Sequence, residues 1–270
     1  MSTPFSDLSL SRRLERAEGH ACVQFAEARR TLFPECGAQW IECAGAYAVF
    51  DAPGSPVTQT FGLGVFEEPT PESLGVIEQF FLDRGADVCH EVSPFAGVAA
   101  LSLLCARGYR PIEISNVMYK SVEEIAAEGD AAIGVRVIGR EDAQLWSEVS
   151  ARGWTHEHPE LKEFVDQIGA IACARAQTPC FLAEHDGQPG AAGALFIHEG
   201  VALFAGAATV PEMRRRGLQT ALLKARMRYA FDHGCDLAMM VAEAGSNSQR
   251  NAERSGFRVA YTRVKWRLSR

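Results

Sequence analysis

Apolar and polar positions follow a set order along the last third of the chain. Val201 to Val210 is an almost unbroken apolar run of strand length, the pattern of a strand buried on both faces. Beyond a basic turn, Leu218, Ala221, Leu222, Ala225 and Tyr229 recur at helical spacing, and Gly234 stands where a C-terminal cap belongs. Asp236 to Glu243 reads as a second apolar strand, expected to run parallel to the first. Ala244 to Phe257 reads as a polar loop, a short helix and a glycine stop, and Arg258 to Trp266 alternates as a strand does. Near the other end, Phe5 to Arg30 carries apolar residues at helical spacing and predicts a helix packed onto its own domain.

The turn between the first strand and the helix, Val210-Pro211-Glu212-Met213-Arg214-Arg215-Arg216-Gly217, carries the candidate chemistry. The first N–H groups of a helix have no partner within it and carry a partial positive charge, so an anion is bound there without a dedicated side chain. Gly217 has no Cβ and lets a bulky ligand approach the backbone. The lysine and hydroxyl of a Walker turn are absent, as is Gly-x-Gly-x-x-Gly, which argues against a nucleoside triphosphatase or a dinucleotide fold.

Arg214-x-x-Gly217-x-Gln219 resembles the pyrophosphate-binding signature of the GNAT superfamily of acyl-CoA N-acetyltransferases, written as Arg or Gln, two residues, Gly, one residue, then Gly or Ala. Gln219 departs from it, so its side chain must point away from the phosphates or bond to them. Strand, turn, helix, strand, short helix, Gly256-Phe257 and strand is the order of the second half of a GNAT domain. The resemblance implies acetyl-CoA as cosubstrate, held by Arg214, Arg215, Arg216, Gly217, Leu218, Gln219 and Thr220. Backbone groups at Thr209 and Val210 would serve its amide arm and the thioester carbonyl, and Asn251 and Arg254 its pantetheine arm or adenosine phosphates. Many family members place a tyrosine four residues before the Gly-Phe pair to protonate the leaving thiolate. Ala252 stands there in this chain, leaving Tyr261 or water as the acid.

An acetyl acceptor amine must arrive neutral, which calls for a base. Glu243 ends a strand, and strand ends in parallel sheets face ligand crevices; a solvent-facing acid at a turn explains it equally. Trp154 and His156 lie where family members place acceptor-binding helices, although Trp154 also suits a core. His156 and His158 resemble a metal pair only weakly, with no third ligand, and no metal is expected. The function expected is transfer of acetyl from acetyl-CoA to a primary amine of a small molecule or peptide within a ternary complex. A non-catalytic acyl-CoA sensor is the alternative.

The chain also matches itself. Phe81-Leu82-Asp83-Arg84-Gly85 resembles Phe231-Asp232-His233-Gly234, and Arg107-Gly108-Tyr109-Arg110 resembles Ser255-Gly256-Phe257-Arg258; Gly85 and Gly234 are 149 positions apart, Gly108 and Gly256 148. Near-constant spacing predicts an α/β (α+β) protein of two tandem GNAT-like domains, 1–126 and 127–270. Each has a mixed, mostly antiparallel sheet with a central parallel strand pair and flanking helices. In the first domain Glu67, Glu68 and Glu72 replace the basic turn and would repel a pyrophosphate, so the second alone is expected to bind CoA.

Composition narrows the class. With 47% hydrophobic and 23% charged residues the chain is expected to be globular, and a net charge of −7 disfavours a nucleic-acid binder. No run spans a bilayer and the N-terminus lacks the apolar core of a signal peptide. Eight cysteines without a C-x-x-C pair suit a reduced, cytoplasmic protein. Oligomeric state is not legible.

Overall fold

The run Ala46-Tyr47-Ala48-Val49-Phe50 forms strand β2, with every residue buried. Ala46, Ala48 and Phe50 enter one apolar cluster and Tyr47 and Val49 another, so this strand separates two cores. The computed structural model describes residues 4–124, 132–154, 162–175 and 178–269, which divide into two compact units, 1–120 with 239–270, and 121–238.

In the first unit, α1 (Leu8–Leu32) starts at Asp7, whose side chain accepts the Leu10 N–H at 2.9 Å. Leu10, Leu14, Ala17, Ala21, Phe25 and Ala28 give it a buried stripe at helical spacing, each large side chain contributing about 1.5–3 kcal/mol. The remaining elements are β1 (Gln39–Cys43), β2, β3 (Gln59–Phe61), α2 (Pro71–Leu82), β4 (Cys89–Val92), α3 (Gly97–Ala106) and β5 (Tyr109–Ser121). After the second unit, the chain returns with β10 (Leu237–Glu243), α7 (Asn247–Arg254) and β11 (Arg258–Leu268). Strand order in this unit is β1-β2-β3-β4-β11-β5-β10. β3 and β4 run parallel with Thr60 opposite His90, while β11 lies antiparallel to both neighbours, Trp266 opposite His90 and Arg263 opposite Ser115. The last strand of the chain is thus interior to the sheet of the first unit. Leu74, Ile77 and Phe81 of α2 and Ala100 and Leu104 of α3 join the cluster that holds Ala48 and Phe50.

The second unit is an antiparallel meander of β6 (Ile133–Ile138), β7 (Cys180–His185), β8 (Gln188–His198) and β9 (Val201–Thr209), with α4 (Ala143–Trp154), α5 (Lys162–Ala174) and α6 (Leu218–Asp232). Asp186-Gly187 and Glu199-Gly200 join its hairpins with both residues at positive φ, the geometry whose twist matches the flanking strands. Trp146 of α4 is fully buried and donates its indole N–H to the Phe181 carbonyl at 3.1 Å. The element order β3-α2-β4-α3-β5 recurs as β9-α6-β10-α7-β11, the tandem arrangement that the repeated Gly85/Gly234 and Gly108/Gly256 positions imply. Among the described residues, no helix is long and apolar enough to cross a membrane.

Candidate functional site

Strand β9 carries a β-bulge before it reaches the turn. Ala192 pairs with Ala208 but Ala194 with Ala205, so Gly206 and Ala207 together oppose Gly193. Gly206 has φ 60°, and the Trp146 ring lies 3.6 Å from where its Cβ would stand. At the end of β9 the Val210 N–H donates to the Gly190 carbonyl at 2.9 Å. Strand pairing therefore claims Val210's donor, and only its neighbour is left for a ligand arm. Alternation along an antiparallel ladder turns the Thr209 N–H away from β8.

Pro211–Met213 then makes one 3-10 turn, Arg215 takes a left-handed φ of 65° and Gly217 one of 84°. A non-glycine residue held left-handed costs about 1 kcal/mol and marks a backbone fixed by its surroundings. Helix α6 begins with Gly217 as N-cap and no side chain capping it, and the first helical bond joins the Ala221 N–H to the Gly217 carbonyl at 3.0 Å. The N–H groups of Gly217, Leu218, Gln219 and Thr220 consequently precede the helical ladder, behind a turn exposed from Arg214 to Gly217. Arg215 and Arg216 flank it on the surface. Arg214 is also exposed, but its guanidinium clamps backbone, Nε donating to the Thr209 carbonyl at 3.3 Å and Nη2 to that of Gly153 at 3.4 Å. Gln219 points its amide away from the turn's donors: its Oε1 accepts the Thr209 hydroxyl at 3.2 Å.

Two glycines outside the motif build this corner. A Cβ on Gly153, near the end of α4, would stand 2.6 Å from Ala208 Cβ and 3.1 Å from the Thr209 nitrogen. One on Gly190 would meet Leu218 Cδ1 at 2.8 Å and Met213 Cγ at 2.9 Å. Sequence reasoning passed over both; the available signal was a glycine inside a strand or helix, which marks close backbone approach. Trp154, next to Gly153, is half-buried at the end of α4, while His156 and His158 lie outside the described residues.

The corresponding helix start in the first unit is closed by the chain itself. Thr70 Oγ1 accepts the Ser73 N–H at 3.2 Å, and Ser73 Oγ accepts the Thr70 N–H at 2.9 Å. Glu72 stands in the first turn, its carboxyl held below the usual range by backbone N–H and Thr70. Hence α2 offers its donors and dipole to its own residues, whereas α6 leaves them open.

The other candidates belong to the first unit. Glu243 is exposed at the end of β10, and Asn251 and Arg254 are exposed on α7, which Ser246 caps by accepting the Gln249 N–H at 3.1 Å. Tyr261 is different. It is buried, and its hydroxyl donates to Glu15 Oε1 at 2.8 Å. It edges a charged cluster that sequence reasoning missed. Arg263, also buried, donates to both Glu18 oxygens at 2.5 and 2.8 Å, and lies 3.1 Å from Glu91 and 3.6 Å from Glu15. Three carboxylates share one guanidinium, and burial raises the Glu15 carboxyl to about 7 against the pull of Arg263. On the opposite sheet face His90 is held neutral, its imidazole pushed down to about 3 by burial, with Nε2 2.9 Å from the Tyr109 hydroxyl.

A sequence model of the Acetyltransferase (GNAT) family matches residues 143–257, from the start of α4 to the Gly256-Phe257 stop. Among solved structures, the chain is similar to a GCN5-related N-acetyltransferase from Kribbella flavida, at 18% identity and TM-score 0.70 over 96% of each chain. It is similar to a GCN5-related N-acetyltransferase from Sphaerobacter thermophilus at 17% identity and TM-score 0.54, over 94% of this chain and 91% of that one. A tandem GNAT protein from the clavulanic acid biosynthesis pathway aligns with 82% of this chain and 73% of its own, at 15% identity and TM-score 0.55. At these identities the likeness is one of fold. No curated protein matches the chain.

Proposed function

Because a model of the Acetyltransferase (GNAT) family matches residues 143–257, we propose that the protein moves an acetyl group from acetyl-CoA directly to a primary amine of a small molecule or peptide, both bound at once. The observation that carries this reading is the uncapped start of α6, where the N–H groups of Gly217, Leu218, Gln219 and Thr220 precede the first helical bond, beside the exposed Arg215 and Arg216. An ester pyrophosphate suits such donors and the helix dipole together. Thr209, at the bulged strand's end, supplies a backbone donor for the amide arm. Asn251 and Arg254 are proposed as further CoA contacts, and Trp154 and His156 as acceptor contacts. The domains 1–126 and 127–270 are kept as the units of duplication, with the second binding CoA.

The chain's chemical task is to deprotonate the amine and to stabilise the thioester oxygen. Glu243, exposed at a strand end, is the proposed base, acting directly or through water. Water is assigned the thiolate's proton, since Ala252 has no hydroxyl and Tyr261 commits its own to Glu15. Release of free CoA thiol across a panel of primary amines tests the reading: amine-dependent release that falls in Glu243→Gln near neutral pH and recovers as pH rises toward the pKa of the amine supports it, and full activity of Glu243→Gln across pH removes the base.

The second reading, an acyl-CoA sensor without turnover, draws support from the same Ala252 and Tyr261 positions. Tight CoA binding with no amine yielding thiol favours it.

A further inference from the structure

Glu243 is the last residue of β10 and the first of a tight turn. The Ser246 N–H donates to the Glu243 carbonyl at 3.2 Å, with Gly245 in third position at φ 79°, where such a turn favours glycine. Ser246 in turn caps α7 by accepting the Gln249 N–H at 3.1 Å. The Gly245 N–H donates to the Gln249 side chain, at 2.7 Å from Oε1.

A second donor reaches the same oxygen from the sheet. Asn116 of β5 gives its Nδ2 to Gln249 Oε1 at 3.1 Å, and its own Oδ1 accepts the hydroxyl of Thr262, its partner across the β5–β11 ladder, at 2.6 Å. Gln249 Nε2 donates to Glu253 Oε1 at 2.9 Å. Each amide thus has its oxygen on donors and its nitrogen on an acceptor, so neither turns over without losing bonds. Asn116 is buried, and a buried amide left without partners is costly, which holds the chain closed. These residues share the compact unit 1–120 with 239–270, yet Asn116 comes from the last strand of the first repeat and the acidic turn from the second.

On the acetyl-transfer reading with Glu243 as base, we propose that Asn116 is a positioning residue: through Gln249 and the Gly245 N–H it fixes the turn at which Glu243 stands. The first repeat, whose own helix start is closed to an anion, thereby contributes a residue to the chemistry of the second. A base takes an amine proton only from within hydrogen-bonding reach, so loosening the turn slows proton removal and leaves cofactor binding alone.

Two variants of the whole protein break the chain at different points. Asn116→Asp keeps an acceptor for Thr262 and puts an oxygen where the donor to Gln249 was. Gln249→Met, at a half-buried position of α7, removes the acceptor of both donors while keeping length and helix propensity, and it tests the chain even if the buried change unfolds the protein. With the primary amine that releases most thiol from wild type, each variant should lower kcat roughly two- to tenfold near neutral pH, with recovery as pH rises toward the pKa of the amine. KM for acetyl-CoA should be unchanged, and the Gly245 amide should exchange faster with solvent deuterium. Combined with Glu243→Gln, neither variant should slow the reaction further, whereas a packing defect would multiply with it and persist at high pH. Wild-type rates in both variants beside a slow Glu243→Gln, unchanged exchange at Gly245, or losses that multiply would overturn this inference alone. Full activity of Glu243→Gln, or no thiol from wild type with any amine, would overturn the reading beneath it and the inference with it.

Discussion

The Thr209 hydroxyl donates to Gln219 Oε1 at 3.2 Å. The bond spans ten residues and joins the end of β9 to the first turn of α6, holding the strand and helix between which Arg214 to Gly217 must fold. It also explains how a long residue is accommodated where the family signature has a small one: the amide is turned back on the strand.

A neutral hydrogen bond of this kind contributes about 0.5–1.5 kcal/mol, or roughly two- to tenfold in an equilibrium constant. Gln219→Ala and Thr209→Val should each raise KM for acetyl-CoA by that factor with kcat little changed, and the double variant should be no worse than either. Steady-state kinetics with a double-mutant cycle checks this; additive losses would mean that the two side chains act separately.

Gly153→Ala should be more harmful than Gly190→Ala. The first meets Ala208 Cβ at 2.6 Å and backbone at 3.1 Å, which have nowhere to go, while the second meets no backbone, only the side chains of Leu218, at its end, and of Met213, at Cγ and Cβ. Overpacking costs about 1–3 kcal/mol. Denaturant titration should place Gly153→Ala in that range and Gly190→Ala below it; the reverse order would contradict the packing described for the corner.

The first unit should carry two opposed pH dependences. Glu15 has a folded pKa of about 7, above its ordinary 4.5, so its contribution is complete below pH 4.5 and is lost as pH rises through 7. His90 is depressed from 6.5 to about 3, so its contribution is complete above 6.5 and is lost as pH falls toward 3. Between 4.5 and 6.5 the slopes, up to about 1.4 kcal/mol per pH unit each, cancel. Glu15→Gln, which keeps an acceptor for Tyr261, should unmask a rise in stability across that window, measured by urea unfolding. A profile parallel to wild type would show that Glu15 does not titrate there.

Arg263→Met removes the guanidinium shared by Glu15, Glu18 and Glu91 and should cost about 3–5 kcal/mol at pH 7. The loss should shrink near pH 5, where the buried carboxyls take up protons. Thermal melting at the two pH values distinguishes this from a mere packing defect, which would cost the same at both.

What was legible in the chain was local. The strand, turn and helix around Gly217 are contiguous, so periodicity and one glycine suffice to find them, and the stripe of α1 is read from Leu10 to Ala28 in the same way. Illegible were contacts between distant residues. Tyr261 looked like a strand residue free to act as an acid, because its partner, Glu15, lies 246 positions away. Arg263 gives no local sign of its carboxylates, since they come from α1 and β4. The insertion of β11 between β4 and β5 depends on a register that no local pattern encodes. Gly153 and Gly190 carried a weak signal, a missing side chain, that becomes informative only beside Ala208 and Met213.

Calorimetric titration of the whole chain with CoA tests the central claim most directly, with wild type beside Gly217→Glu and each variant checked by its melting temperature. The α6 turn, open where the α2 turn is closed, predicts one site per chain, abolished by a carboxylate at Gly217 while the protein remains folded. Two sites, no binding by wild type, or unchanged binding in folded Gly217→Glu would contradict it.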